Sequence, residues 1–266
     1  MVILITGDIK MKILITGGIS GLGYSVAKEL ALKGHIVYLG VRTKEEETYL
    51  NEKLKREKLI MFPLVLDLTN NNYTIPNDID ILYLNASLGK GGSILEVNSN
   101  YLTDTFNVNI LGNVNLIKKY LKNRKKGRIV LTSSLAGFLP LPYLYSYTYT
   151  KLSLYHLANT LRLECIYQGL DIEVSTILPG AYYTGFNQVM IDNKDKSSFI
   201  YKDKALKMTK YQHILFNLLE KKDLTSFAKK ISKEITKKHL KHIISLPYDQ
   251  FMFTKLYLFV RWLLFI

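Results

Sequence analysis

A short apolar strand, a glycine-rich turn and a helix follow one another near the start of the chain. The strand covers Lys12–Thr16, the turn reads GGISGLG from Gly17, and the helix runs to about Lys33. Glycines allow a tight turn and close approach of the backbone, and the free N–H groups and dipole of a helix start attract negative charge. This order predicts a diphosphate-binding turn, with these residues closest to the phosphates: Gly17, Ser20, Gly21, Leu22 and Gly23.

Apolar strands and helices alternate along most of the chain. Further strands are predicted at residues 35–41, 60–66, 79–84, 128–132, 172–178 and 242–246. Helices are predicted at residues 44–57, 99–122, up to 168, within 204–220 and at 224–235, the last with Asp223 as its N-cap. Residues 69–78 are too few and too broken by Asn and Pro for a full helix. The alternation predicts a single α/β domain with a doubly wound, Rossmann-like parallel sheet and helices on both faces.

The two ends of the chain fall outside this pattern. The sequence ILITG occurs at residues 3–7 and again at 13–17, and glycines of a phosphate turn follow only the second copy. We therefore interpret residues 1–10 as an appendage, with Met11 as an alternative start, and residues 11–250 as the domain. Residues 185–240 are predicted to be a helical segment on the substrate side of this domain, and residues 251–266 an apolar helix.

Small and polar residues follow the predicted strands at their carboxyl ends. In doubly wound sheets, ligands bind outside these ends. We therefore expect one site to contain Gly17, Arg42, Asp67, Asn85, Ser134 and Pro179. Leu68, Ala86 and Gly180 follow directly on three of these residues at the same strand ends. No metal ligand is expected among them.

Tyr147 and Lys151 lie four residues apart on one predicted helix, so their side chains share a face. A phenol has a reference pKa of about 10, and a neighbouring ammonium favours the phenolate. The spacing therefore predicts a lowered pKa for Tyr147 and a role in proton transfer to a carbonyl oxygen. Asn109 lies among apolar neighbours on another helix, where it is either a hydrogen-bond hub or part of the site.

Together these residues resemble the short-chain dehydrogenase/reductase family over about residues 12–184. The family's glycine motif is matched by Thr16, Gly17, Gly21 and Gly23, and its adenine-side acid by Asp67. Its catalytic set is matched by Asn109, Ser134, Tyr147 and Lys151, and its later strand end by Pro179, Gly180 and Thr184. Its motif after the fourth strand is matched only in part, by Asn85 and Ala86.

The resemblance implies an NAD(P)-dependent oxidoreductase that moves a hydride between the cofactor and a carbonyl or alcohol substrate. Tyr147 would exchange a proton with the substrate oxygen and Ser134 would hydrogen-bond that oxygen. Lys151 would lower the pKa of Tyr147 and hold the nicotinamide ribose, and Asn109 would anchor a water molecule. Tyr182 departs from the family, which usually has a small aliphatic residue there.

The cofactor preference is predicted from the end of the second strand. No acid stands there to bind a ribose 2′-hydroxyl before the glutamates that begin at Glu45. Arg42 can instead make charge-assisted hydrogen bonds to a 2′-phosphate, although an exposed arginine without this role is an equal alternative. We expect NADP(H) to be favoured over NAD(H).

The substrate is expected to be apolar, because the segment after Ser134 is apolar and aromatic. The predicted wall is Leu135, Ala136, Phe138, Leu139, Leu141 and Tyr143, and packing of a loop is the alternative. Two other functions remain open: a catalytically silent NAD(P)-binding regulator, and an epimerase-like relative acting on nucleotide sugars.

The charge of +14 is concentrated near the C-terminus, where residues 194–266 hold 16 Lys and Arg against 6 Asp and Glu. Nucleic acid is not expected as a partner, since charge alone would support it. The single cysteine and the absence of a signal-peptide pattern favour the cytoplasm. The family resemblance favours a homodimer or homotetramer. The apolar helix at 251–266 is too short to span a bilayer and would dock on protein, or make peripheral contact with the inner membrane surface.

Overall fold

The computed structural model describes residues 10–122, 124–192 and 202–264. The strands are β1 (Lys12–Thr16), β2 (Ile36–Val41), β3 (Phe62–Val65), β4 (Ile81–Leu84), β5 (Lys126–Thr132), β6 (Asp171–Pro179) and β7 (Ile243–Leu246). The helices are α1 (Gly21–Leu32), α2 (Lys44–Glu57), α3 (Ser99–Phe106), α4 (Asn113–Leu121), α5 (Tyr145–Tyr167), α6 (Phe186–Asp192), α7 (Lys202–Leu219), α8 (Leu224–Thr236) and α9 (Tyr248–Leu263). A π-helical turn, Asn107–Gly112, joins α3 to α4, and a 3₁₀ turn, Leu135–Phe138, precedes α5.

The strands form one parallel sheet in the order β3-β2-β1-β4-β5-β6-β7. The chain therefore winds outward from β1 in one direction and from β4 in the other. Such a reversal opens a crevice at the carboxyl ends of β1 and β4, where ligands bind in sheets of this type. The predicted fold class is confirmed.

Both faces of the sheet are buried, and β1 shows how its sequence achieves this. Successive side chains of a strand point to opposite faces. Ile13 and Ile15 pack in a core that includes Phe227 of α8, while Leu14 packs in the core that includes Leu116 of α4. A strand covered on both faces must be apolar throughout, which explains its continuous apolar run.

The predicted helix at residues 99–122 is interrupted, which corrects the sequence-based expectation. The chain widens into the π-helical turn Asn107–Gly112 at its centre. Gly112 lies against the connection after β3, where an added Cβ would come within 2.5 Å of the Leu68 carbonyl oxygen. π-Helical turns are frequent at functional sites, and this one carries Asn109.

The other elements fall close to their predicted positions, with strand ends shifted by one or two residues. No helix is described between β3 and β4, in line with the prediction. Asp223 caps α8 by accepting hydrogen bonds from the N–H groups of Thr225 (3.0 Å) and Ser226 (3.1 Å). Helix α6 lies within the predicted helical segment 185–240, although the sequence did not give its bounds. The predicted appendage lies outside the described residues apart from Lys10.

Helix α9 begins at Tyr248, three residues before the predicted start. Within the described parts of the chain, every helix is too short or too polar to cross a membrane.

Candidate active site

The predicted diphosphate turn lies at the carboxyl end of β1 and continues into α1. Gly17 has a φ of +65°, and a Cβ there would lie 2.8 Å from Ala86 Cα, so this position needs glycine. Gly23 lies below the turn, where a Cβ would come within 2.4 Å of the Asn85 amide nitrogen. Thr16 fixes the neighbouring strand end, since its hydroxyl accepts hydrogen bonds from the N–H groups of Asn85 and Ala86, each at 3.0 Å.

Two adjoining cavities form a cleft along this edge of the sheet. The inner cavity, of 460 Å³, is lined by the turn and by Asn85, Ser134, Tyr147, Lys151, Pro179, Gly180 and Thr184. The outer cavity, of 510 Å³, is lined by residues that include Arg42, Asp67, Leu68 and Ala86. Both cavities share Gly17, Ile19, Ala86 and Ser87. The structure thus brings together the predicted site residues, except Gly23 and Asn109, which do not line the cleft.

Tyr147, Lys151 and Ser134 converge on the inner cavity from α5 and from the end of β5. The Lys151 ammonium donates a hydrogen bond to the Thr132 carbonyl oxygen (3.0 Å) and lies 5.5 Å from the centre of the Tyr147 ring. Ser134 is held by the strand ends: its hydroxyl donates to the Pro179 carbonyl oxygen (3.3 Å) and accepts from the Ala136 N–H (3.1 Å). A phenol, an amine and a hydroxyl group therefore face one space.

The pKa of Tyr147 differs from the sequence-based expectation. Burial raises the pKa of its phenol to about 12, although its hydrogen bond with Ser134 acts in the opposite direction. Burial also lowers the pKa of the Lys151 ammonium to about 7. The expected lowering of the Tyr147 pKa is therefore wrong for this arrangement, because burial of the phenol outweighs its hydrogen bond with Ser134.

Asn109 acts as a hydrogen-bond hub beside the cleft. Its amide oxygen accepts from the Leu88 N–H (2.7 Å), and its amide nitrogen donates to the Leu88 carbonyl oxygen (3.0 Å) and to the Thr150 hydroxyl (3.0 Å). Its own carbonyl oxygen accepts from the Asn113 amide (2.7 Å). The side chain thus ties the loop after β4 to α5, directly beside Lys151.

A larger apolar cavity, of 900 Å³, adjoins the inner cavity. Four of the six predicted wall residues line it: Leu135, Ala136, Leu139 and Leu141. Phe138 and Tyr143 do not, and Phe138 instead packs edge-on against Tyr155 with ring centres 5.1 Å apart. The remaining wall comes from α6, α7 and α9, including Met190, Met208, Leu215, Phe216 and Phe253. In the sequence, the apolar residues of these helices are the one signal that could have predicted their place in the cavity wall.

The outer cavity contains a residue that the sequence did not single out. Glu46, in the first turn of α2, accepts a hydrogen bond from the Arg42 N–H (2.7 Å) and pairs with the Arg42 guanidinium (3.4 Å). Both side chains line the cavity. No acid precedes Glu45 in the sequence, but helix α2 turns Glu46 back toward the end of β2, so a carboxylate lines this part of the cavity.

Comparison with known proteins identifies the family. Residues 11–195 match the family described as short chain dehydrogenase. The chain belongs to this family. A 3-ketodihydrosphingosine reductase of Bacteroides thetaiotaomicron is 30% identical over 70% of this chain and 67% of its own length. An NADPH-dependent 1-acyldihydroxyacetone phosphate reductase of Saccharomyces cerevisiae is 30% identical over 56% of this chain and 54% of its own.

A solved structure confirms the fold of this short-chain dehydrogenase. A short chain dehydrogenase/reductase of Burkholderia phymatum, in complex with NAD, superimposes with a TM-score of 0.72 at 19% identity, covering 89% of each chain. The protein is accordingly an NAD(P)-dependent oxidoreductase that interconverts alcohol and carbonyl groups. The diphosphate turn at Gly17 and the cleft along the strand ends fit a nicotinamide dinucleotide.

Proposed function

We propose that this short-chain dehydrogenase reduces a ketone borne on a long apolar chain, with Tyr147 as the acid. This proposal rests on a wall that the inner cavity and the apolar cavity share. Ser134, Tyr147, Gly180 and Asn187 line both the inner cavity and the apolar cavity. A carbonyl group at this junction would meet the acid while the rest of the substrate occupies the apolar cavity.

In this mechanism the cofactor supplies the hydride, and the protein supplies position and proton. The Ser134 hydroxyl hydrogen-bonds the substrate oxygen, and the Tyr147 phenol donates its proton to that oxygen as negative charge develops. The phenolate left behind is stabilised by Ser134 and by a protonated Lys151. In the reverse direction the phenolate accepts the proton of the alcohol. Asn109 is a positioning residue, since it braces the loop after β4 and α5 without lining the cleft.

The size and chemistry of the apolar cavity support a lipid-like substrate. Its 900 Å³ lies near the upper end of the roughly 300–1,000 Å³ usual for small-molecule sites. A polar group in its wall already has partners within the protein: the Gln250 amide accepts a hydrogen bond from the Ala181 N–H and donates one to the Leu219 carbonyl oxygen. Both curated relatives named above are reductases of lipid substrates by name. A sugar would leave its hydroxyl groups without partners here.

NADP(H) is the proposed cofactor form, and Arg42 at the end of β2 supports it because a guanidinium can bind a 2′-phosphate. Its guanidinium lines the outer cavity and its side chain is exposed, so it can turn from Glu46 toward a phosphate. The negative charge of Glu46 would repel a 2′-phosphate and so opposes a preference for NADP(H). The Arg42–Glu46 pair therefore determines the selectivity between NADP(H) and NAD(H).

The proposed assembly is a homodimer or homotetramer in the cytoplasm, with α3 and α5 at the contact. The exposed apolar residues there are Phe106 of α3, Leu111 of the following π-helical turn, and Leu163 and Ile166 of α5. Contact between copies would remove these side chains from water. This arrangement leaves α9 available for the peripheral membrane contact argued below.

The proposal is tested by following oxidation of NADPH and NADH with a panel of ketones. The panel contains 3-keto lipids of increasing chain length, a short water-soluble ketone and a keto sugar. We expect catalytic efficiency to rise with chain length and to be higher with NADPH. Preference for the sugar, or no dependence on chain length, would contradict the proposed substrate class.

A further inference from the structure

Helix α9 is anchored at its first turns and exposed along the rest of its length. Gln250 ties it to Ala181 (2.7 Å) and Leu219 (2.8 Å), and Thr254 is buried. Six apolar side chains beyond Thr254 are 42–70% exposed: Leu256, Phe259, Val260, Trp262, Leu263 and Leu264. Tyr257 and Leu258, between them, are half-buried. Contiguous exposed apolar residues mark a surface that another molecule or a membrane covers.

This apolar surface continues onto α7 at the open side of the apolar cavity. Several side chains line the cavity and are also exposed: Tyr211, Ile214, Leu215, Leu218 and Leu219 of α7, and Phe253 of α9. A wall residue that is exposed to solvent stands where the cavity opens. We call these six residues, together with the exposed apolar residues of α9, the mouth patch.

Basic side chains surround the mouth patch. Exposed lysines and arginines in and beside α7 and α9 are Lys204, Lys207, Lys210, Lys221, Lys222, Lys255 and Arg261. Carboxylates are fewer in and beside the same elements: Asp203 and Asp223 are exposed, Asp249 is paired with Lys221 (2.8 Å), and Glu220 is buried. An apolar surface within a basic field is complementary to an anionic lipid surface.

We propose that the mouth patch docks on an anionic bilayer, with α9 lying in the interface, and that substrate enters the apolar cavity from the lipid. Entry of substrate rests on the proposed function, whereas docking does not. The 16 residues of α9 measure about 24 Å, shorter than the ~30 Å hydrocarbon core, so the helix lies along the surface. Trp262, stacked on Phe259 with ring centres 6.2 Å apart, suits the headgroup boundary.

A second copy of the chain is less suited than lipid to cover the mouth patch, for two physical reasons. The exposed apolar residues of α9 spread over roughly 200° of the helix at 100° per residue, more than one partner helix covers. A symmetric dimer through the mouth patch would also bring two basic surfaces together, and like charges repel. Lipid covers a wide apolar arc and supplies the opposite charge.

Vesicle flotation tests the docking. The full chain is mixed with vesicles of phosphatidylcholine alone or with phosphatidylglycerol, at low and high salt. We expect flotation with the anionic vesicles and less of it at high salt, since screening weakens attraction between exposed charges. Phe259→Ser with Trp262→Ser should lower the bound fraction at least about tenfold, because two aromatic side chains no longer enter the lipid. Ile60→Ser, at an exposed apolar position outside the patch, should float like wild type.

The oligomeric mass separates lipid from a protein partner. Light scattering should give the same mass for wild type and for the Phe259→Ser, Trp262→Ser variant. Failure of the wild type to float at low salt overturns the proposal. A change of mass in the variant, with flotation unchanged, assigns the patch to a partner subunit and also overturns it.

Turnover separates the failure of docking from the failure of the proposed function. With a short water-soluble ketone, wild type and the double variant should turn over equally, because Phe259 and Trp262 do not line the cavity. With a long-chain 3-keto lipid embedded in anionic vesicles, the variant should be at least about tenfold slower, in proportion to its lost binding. Equal rates there overturn entry from the lipid. No turnover of any ketone refutes the proposed function and leaves the flotation result intact.

Discussion

The ammonium nitrogen of Lys151 lies 3.0 Å from the carbonyl oxygen of Thr132, the last residue of β5. This bond joins α5 to the strand end from which Ser134 projects. A second bond, from the Ser133 hydroxyl to the Lys151 carbonyl oxygen (2.5 Å), strengthens the same junction. The helix that carries Tyr147 is thereby held at a fixed depth relative to the sheet. Such rigidity is what positions an acid for proton transfer.

The stability contribution of Lys151 should depend on pH. Its pKa is about 7 in the folded protein and 10.5 when exposed, so the unfolded state binds more protons between these values. The free energy of unfolding contributed by this group therefore rises with pH in that window and is lowest below pH 7. Between pH 7 and pH 9, wild type should gain about 2 kcal/mol relative to Lys151→Met. Urea denaturation at both pH values measures the difference.

The matched control is Lys55→Met, at an exposed position of α2. Its stability relative to wild type should not change between pH 7 and pH 9, because an exposed side chain has similar surroundings in the folded and unfolded states. A wild-type gain no larger than that of the control would show that Lys151 remains charged when folded.

Tyr147→Phe should remove catalysis and leave the fold and the cofactor cleft intact. The substitution deletes the hydroxyl group and keeps the ring that packs against Phe186 (centres 5.6 Å apart). Loss of a general acid usually slows a reaction by about 10²–10⁴-fold. Tyr145→Phe, an exposed tyrosine on the same helix, should retain wild-type turnover. Turnover and NADPH fluorescence titration measure the two effects, and turnover retained by Tyr147→Phe would exclude this residue as the acid.

The pKa values also show where sequence reasoning failed. The spacing of Tyr147 and Lys151 follows from helix geometry and correctly places the two residues on one face. The sign of the Tyr147 pKa shift depends on burial, which is set by α6 and by strand ends distant in sequence. A local motif therefore identifies the catalytic groups without giving their protonation.

Other parts of the site depend on contacts that no local pattern records. The glycine turn was predictable because all its parts lie within Lys12–Leu32. Asn109 forms hydrogen bonds to Leu88 and Thr150, which lie 21 and 41 positions away in the sequence. Only the structure could therefore show that Asn109 is a hydrogen-bond hub and does not line the site. The α7 and α9 wall of the apolar cavity likewise has no motif, since apolar side chains are interchangeable along a helix.

Asn109→Ala should destabilise the protein, because it leaves the Leu88 N–H and carbonyl oxygen without partners. The Thr150 hydroxyl loses one hydrogen bond and keeps its bond to the Tyr147 carbonyl oxygen (2.8 Å). The Leu88 N–H and carbonyl oxygen and the Thr150 hydroxyl all bind the Asn109 amide. Unsatisfied buried groups cost about 1–3 kcal/mol each, and water entering the loop recovers part of this, so we expect a loss of about 2–4 kcal/mol. Asn51→Ala, at an exposed site on α2, should cost little. Urea denaturation measures the free energy of unfolding of both variants. Equal losses in Asn109→Ala and Asn51→Ala would mean that Asn109 does not brace the loop.

Cofactor selectivity should be set by the pair Arg42 and Glu46. The guanidinium lies 3.4 Å from the Glu46 carboxylate at the outer cavity, and a 2′-phosphate would replace that carboxylate as its partner. Hydrogen bonds to charged groups contribute about 1.5–3 kcal/mol, so Arg42→Ala should weaken NADPH binding about 10- to 100-fold and NADH binding much less. Glu46→Gln should tighten NADPH binding, because it removes a negative charge beside the phosphate.

Arg56→Ala, at an exposed position near the end of α2, serves as the charge control. Fluorescence titration with both nucleotides measures these affinities. Two outcomes would show that this pair does not distinguish the 2′-phosphate. One is an equal loss of affinity for NADPH and NADH in Arg42→Ala, and the other is tighter binding of NADH alone in Glu46→Gln.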